Sequence, residues 1–228
     1  MHRIVALTAG ALLLASCSKG EPAPQPSEMP MLGASDTLPV MGTEKRILAV
    51  GDSLFAGYGL GSAAESYPER LEVALRARGI NLRIVNAGVS GDTSAAGAQR
   101  FAFVLDSQPA KPDLVIIEFG GNDVLRGLPP AETRKNLDAM LAETSKRGLK
   151  VLVMGMLAPP NLGGDFKARF EPIYPELAKH YHARLVPFFL APVIGKPDLV
   201  QADHIHPTAR GVEEIVKADA DEVAKALE

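Results

Sequence analysis

Past residue 45 the chain alternates short apolar runs with longer amphipathic stretches. Residues 47–50 (Ile-Leu-Ala-Val), 82–85 (Leu-Arg-Ile-Val), 114–117 (Leu-Val-Ile-Ile) and 151–154 (Val-Leu-Val-Met) are mostly apolar and often β-branched. They end at or near Gly51, Asn86, Gly120 and Pro159. Arg184-Leu185-Val186-Pro187-Phe188 is a fifth, weaker run. Unbroken runs of this length suit strands covered on both faces, since a strand with one wet face alternates apolar with polar residues.

The stretches between them carry helical spacing. Ser66-Tyr67-Pro68-Glu69 has the spacing of a capping box, and Leu71, Ala74, Leu75 and Arg78 follow before Gly79. Leu137, Met140, Leu141 and Thr144 mark a second helix closed by Lys146-Arg147-Gly148. Ile173, Leu177 and Tyr181 mark a third, with Pro175 confined to its first turn or bending it. Val212, Ile215, Val216 and Val223 give the last, with Thr208 as its cap, and a shorter helix is expected over Ala95–Leu105. Strand and helix in strict alternation require parallel strands joined by right-handed crossovers. The predicted fold is a three-layer α/β/α sandwich around a flavodoxin-like parallel sheet of about five strands. In such sheets ligands bind beyond the carboxyl ends of the strands.

The N-terminus is different. Residues 1–3 are short and carry Arg3, and residues 4–14 are apolar apart from Thr8 and Gly10. That is the build of a secretory signal, too short for a stable bilayer span. Leu14-Ala15-Ser16-Cys17 follows and contains the chain's one cysteine. It resembles the lipobox of bacterial lipoproteins, which implies a signal over residues 1–16, lipidation of Cys17, and membrane attachment. Ser18 after it implies retention at the periplasmic face of the outer membrane. Residues 17–43 then read as a disordered tether, because Pro22, Pro24, Pro26, Pro30 and Pro39 sit among small and polar residues with no aromatic to bury. The remaining domain spans residues 44–228. A net charge of −3 with 22% charged residues gives no electrostatic reason to expect nucleic acid as a partner. Without a second cysteine the fold depends on its core.

Four polar segments fall at the strand ends: Gly51-Asp52-Ser53-Leu54, Ser90-Gly91-Asp92-Thr93, Gly120-Gly121-Asn122-Asp123, and Asp203-His204-Ile205-His206-Pro207. Together these blocks resemble those of the SGNH, or GDSL, hydrolase family, over nearly all of residues 47–216. The likeness is greatest to its thioesterase I, arylesterase and lysophospholipase group. A single Gly-Asp-Ser is common, whereas four blocks in order at predicted strand ends are specific. The resemblance implies an ester or thioester hydrolase with Ser53 as nucleophile, His206 as base and Asp203 as its orienting acid. It also implies an oxyanion hole from the Ser53 and Gly91 N–H groups and the Asn122 side-chain amide.

The chemistry suits the residue types. A serine hydroxyl needs an adjacent base to attack, and imidazole exchanges a proton near neutral pH. A carboxylate on the other ring nitrogen fixes the tautomer and steadies the imidazolium. The oxyanion of the tetrahedral intermediate needs donors aimed at it. The expected substrate is a small-molecule or lipid acyl ester, turned over by a monomer without metal or other cofactor. His180-x-His182 and His204-x-His206 are not read as metal ligands, since a zinc site needs three or four converging ligands and His180 and His182, two apart on a predicted helix, do not share a face. His204 stands where the family more often carries a small residue. Gly59-Leu60-Gly61-Ser62-Ala63-Ala64 matches a dinucleotide fingerprint in letters, but lies past the strand end with no acidic residue closing the second strand. There is no Gly-x-Ser-x-Gly elbow. Other readings are a carbohydrate acetyl esterase and an inactive binding module on the same scaffold. The loops 156–165 and 188–202, rich in Leu, Pro, Val and Phe, lean toward acyl or aryl groups over sugars.

Overall fold

The computed structural model describes residues 40–228. The expected signal over residues 1–16, the lipidation site Cys17 and the tether as far as residue 39 lie outside the described residues. Five parallel strands form one sheet: β1 Met41–Gly51, β2 Ile80–Gly88, β3 Leu114–Glu118, β4 Val151–Met154 and β5 Arg184–Val186. Their order is β2-β1-β3-β4-β5, as in flavodoxin-like sheets. β3 and β4 are buried along their whole length, which is why they read as unbroken apolar runs.

The helices are α1 Ser53–Ala56, α2 Tyr67–Ala77, α3 Ser94–Asp106, α4 Gly121–Leu125, α5 Pro130–Lys146, α6 Gly164–Phe170, α7 Ile173–His180 and α8 Ala209–Leu227. Right-handed crossovers sort them into layers. The step from β1 to β2 moves one way along the sheet, and the steps to β3, β4 and β5 move the other way. Accordingly α2 packs against α8, while α3 and α7 pack against α5. The core between layers is continuous, from Leu71, Leu75 and Ile215 to Phe101, Leu137 and Met140.

Several local expectations change. β1 begins at Met41, so residues 41–43, expected to belong to the tether, are part of the strand: Met41 pairs with Ile80 of β2, and residues 42–44 fall in a register shift before Lys45 pairs with Leu82. Ser66 does precede α2, but its side chain does not cap the helix; the Ser66 hydroxyl instead accepts from Asn86 Nδ2 at 3.4 Å. The cue was spacing alone, and a long-range partner took the hydroxyl. β5 stops at Val186, before Pro187, which has no N–H for a ladder. Pro175 falls in the first turn of α7, which ends at His180, so His182 lies beyond it. Thr208 caps α8 by accepting the Gly211 N–H at 3.2 Å.

Candidate active site

The carboxyl edge of the sheet gathers the four polar segments. β1 ends at Gly51, and α1 starts two residues later with Ser53 as its first residue. Asp52 caps this short helix, its Oδ1 accepting the Leu54 N–H at 3.0 Å. Phe55 holds α1 in place. It is fully buried, stacked on Tyr67 at 5.4 Å and edge-on to Phe189 at 5.7 Å. Burying such a ring contributes about 2–3 kcal/mol, which fixes the helix that carries Ser53. As the first helical residue, Ser53 has no intrahelical acceptor for its N–H.

His206 reaches Ser53 from the loop before α8. Its Nε2 lies 2.8 Å from Ser53 Oγ, and its Nδ1 lies 2.7 Å from Asp203 Oδ2. With Nδ1–H facing a carboxylate, Nε2 is left as an acceptor for the serine hydroxyl. Asp203 shapes the turn itself, since its Oδ1 accepts the N–H groups of Ile205 at 2.9 Å and His206 at 3.0 Å. Desolvation acts to raise the Asp203 carboxyl, but the His206 ring and these two N–H groups hold it down at about 2.

Gln201 fastens the loop. Its Nε2 donates to Tyr58 O at 2.8 Å and Pro207 O at 2.9 Å, and its N–H donates to His206 O at 2.7 Å. A Cβ at Gly59 would stand 2.1 Å from the Gln201 side chain, and Gly59 has φ +72°. The positive φ and this close approach both favour glycine, which gives Gly59 of the Gly59-x-Gly61 pattern a structural reason. The Tyr58 ring lies over the imidazole, centroids 4.6 Å apart. Ser53, His206 and Asp203 thus form a connected chain, with Tyr58 over the imidazole and Gln201 holding its loop.

Asn122, in the first turn of α4, donates from Nδ2 to Asp52 Oδ2 at 2.9 Å and lines the same cleft as Ser53. One amide hydrogen is used on Asp52, leaving the other for a ligand. Gly91 sits exposed on the loop after β2 with φ +86°. Arg126 donates to its carbonyl at 2.7 Å, and Arg100 bridges Asp92 at 2.7 Å to Gly51 O at 3.0 Å. Arg100 thus ties the Gly91 loop to the end of β1, and Arg126 ties it to the end of α4. Asp123 is buried and joins segments, accepting from the Ser94 N–H at 2.8 Å, the Ser94 hydroxyl, and Thr133 at 2.9 Å. Its place in the third block is structural.

The cleft beside Ser53 has a volume of about 480 Å³. Val124, Leu125, Met156, Leu157, Phe188 and Ile194 supply most of an apolar lining, with Lys167 and Glu171 as its charged residues beyond the Ser53 segment. His204 also lines it, with φ +60°, a left-handed backbone that disfavours any side chain.

Sequence reasoning passed over Asp52 and Glu118. Glu118 closes β3, is fully buried, and accepts the Asp52 N–H on Oε2 at 3.1 Å. The available signal was an acid ending an otherwise wholly apolar run.

Residues 49–213 match the GDSL-like Lipase/Acylhydrolase family. The chain is 39% identical over 183 residues to the arylesterase of Vibrio mimicus, covering 80% of this chain and 90% of that one. It is 42% identical over 161 residues to esterase TesA of Pseudomonas aeruginosa, covering 71% and 79%. Among solved structures it resembles AlinE4, an SGNH-hydrolase family esterase, with 63% identity, a TM-score of 0.70, and coverage of 82% and 99%. The chain belongs to the GDSL-like lipase/acylhydrolase family and is a carboxylic ester hydrolase.

Proposed function

We propose that the protein hydrolyses acyl esters and thioesters, lysophospholipids among them, by two-step acyl transfer at Ser53. His206 takes the hydroxyl proton as Ser53 attacks the carbonyl carbon, then gives it to the leaving alcohol or thiol. Water, activated by the same imidazole, releases the acid from the acyl-serine. The Ser53 and Gly91 N–H groups and the Asn122 amide receive the oxyanion. The observation that carries this reading is the Asp203–His206–Ser53 chain, with contacts of 2.7 and 2.8 Å.

The apolar cleft supports an acyl or aryl group as the bound part of the substrate. Every residue of the proposed site comes from one chain, so a monomer suffices. A fluorophosphonate probe is expected to label the wild type and not Ser53→Ala. A wild type that stays unlabelled while hydrolysing p-nitrophenyl octanoate would refute Ser53 as nucleophile. For the same protein p-nitrophenyl octanoate should exceed p-nitrophenyl acetate in kcat/KM, because the longer chain fills the cleft.

The sequence around Cys17 supports lipidation and attachment to the periplasmic face of the outer membrane. Cys17→Ser should move the protein from the membrane fraction to the soluble one; unchanged membrane attachment would exclude this route.

A further inference from the structure

Beneath the proposed oxyanion hole lie two acids that the reaction itself does not use. Asp52 and Glu118 are both buried and adjoin, since Glu118 Oε2 accepts the Asp52 backbone N–H at 3.1 Å and each carboxyl acts on the other's titration. Asp52 is well supplied with donors: the Leu54 N–H at 3.0 Å on Oδ1 and the Asn122 amide at 2.9 Å on Oδ2. Glu118 has one, the Asp52 N–H at 3.1 Å on Oε2, and its Oε1 has no hydrogen-bond partner among the described residues. A Cβ on Gly51 would come within 2.8 Å of Glu118 Oε2, so the strand end is also shaped around this group.

Two adjoining buried carboxylates cannot both carry charge. An ionised Glu118 would place negative charge on an oxygen with no donor, away from water, which is the costlier arrangement. The charge therefore rests on Asp52 and the proton on Glu118, whose O–H then donates to Asp52. The titration shifts agree in direction. Burial and then the Asp52 charge push Glu118 far above the usual carboxylate range. Burial also raises Asp52, but its hydrogen bonds with Leu54, Glu118 and Asn122 oppose that rise.

We propose that Glu118 is a positioning residue that acts as a neutral acid: it holds Asp52 in the orientation that fixes the Asn122 amide toward the substrate oxyanion. It serves a second purpose as well. A bare carboxylate behind the oxyanion hole would repel the charge forming there, and a shared proton weakens that field. The inference rests on the reading of Asn122 as an oxyanion donor. It adds that the donor is aimed through a relay running from Glu118 to Asp52 to Asn122.

The test uses the full-length protein and a soluble p-nitrophenyl ester, with kcat and KM measured separately. Glu118→Gln retains an acceptor for the Asp52 N–H and gains a permanent N–H donor for the Asp52 carboxylate. It should keep kcat within about threefold of wild type. Glu118→Leu keeps the bulk and loses both functions. It should lower kcat about 30-fold or more, with KM within about twofold, because the effect falls on the transition state. In an Asn122→Ala background Glu118→Leu should cost less than about threefold more, since the donor it positions is already gone.

Three results overturn the proposal: Glu118→Gln losing tenfold or more, Glu118→Leu keeping full kcat, or Glu118→Leu costing as much without Asn122 as with it. The first stands alone should Glu118→Leu fail to fold. Ser53→Ala and Asn122→Ala separate this from the underlying reading. If those variants keep full activity, the site reading fails. If they lose it while the Glu118 outcomes go wrong, only the relay fails.

Discussion

Two acidic surroundings flank Ser53, and they are opposite in character. On the imidazole side, Asp203 lies on an exposed loop, accepts three hydrogen bonds and is held at about 2. On the side of the proposed oxyanion hole, Asp52 and Glu118 are buried and both are shifted upward, burial being the leading cause. The contrast shows that donors and solvent, more than residue type, set how much charge a carboxyl brings to a site. In the proposed mechanism the imidazolium formed during attack gains from a full negative charge beside it. On the proposed oxyanion side a proton held between the two acids leaves one charge where two carboxylates would carry two.

The largest effect should come from discharging the first region. Asp203→Asn keeps shape but favours the wrong imidazole tautomer, and kcat should fall about 10⁴-fold with KM little changed. A fall of less than tenfold would mean that the Asp203 charge is not needed. Asp203 remains ionised down to about pH 2, so its own protonation contributes nothing to any loss of activity on acidification above pH 4.

A third carboxyl sharpens the contrast away from the site. Asp219 in α8 is buried, accepts from the Tyr67 hydroxyl at 3.3 Å, and is raised by burial to about 7. Between about pH 4 and 7 the unfolded chain has lost this proton while the folded chain keeps it. The folded state therefore binds more protons there, and stability falls as pH rises through that window. A shift of roughly 3 units corresponds to about 4 kcal/mol. Asp219→Asn cannot ionise, so its stability relative to wild type should grow from pH 4 to pH 8 by an amount of that order, measured by urea unfolding. A difference independent of pH would show that Asp219 is ionised throughout, like Asp203.

The sheet was legible in the sequence because burial on both faces leaves little freedom in composition: residues 151–154 read as a strand and are one. The four segments that meet at the carboxyl edge were legible because parallel topology determines where strand ends go. Less legible were features that depend on partners distant in sequence. The Ser66 hydroxyl turns to Asn86, 20 residues away, and Glu118 meets Asp52, 66 residues away. The start of β1 at Met41 was hidden because Gly42, Thr43 and Glu44 lack strand patterning and fall in a register shift between the paired Met41 and Lys45, where Asn81 Nδ2 donates to Gly42 O at 2.8 Å. Tyr58 carries no local sign that its ring will cover His206.

The smallest effect concerns the turn that carries the charged acid. His204 has φ +60°, and its N–H donates to Gln201 O at 3.0 Å. The turn is already held by Asp203 Oδ1 through Ile205 and His206, so the side chain at 204 is not needed for its shape. A left-handed non-glycine residue costs about 1–2 kcal/mol, part of which glycine returns as chain entropy in the unfolded state. His204→Gly should therefore stabilise the protein by about 0.5–1 kcal/mol, a rise in Tm of about 2 °C. His182, φ +52°, just past α7, is the matched control, since among the described residues these are the two non-glycine positions with positive φ. Equal gains at both sites mean that the strain is ordinary backbone cost. A gain at His182 with none at His204 means that the cleft side chain makes contacts that offset its backbone, and that the exposed side of the site is as closely fitted as the buried one.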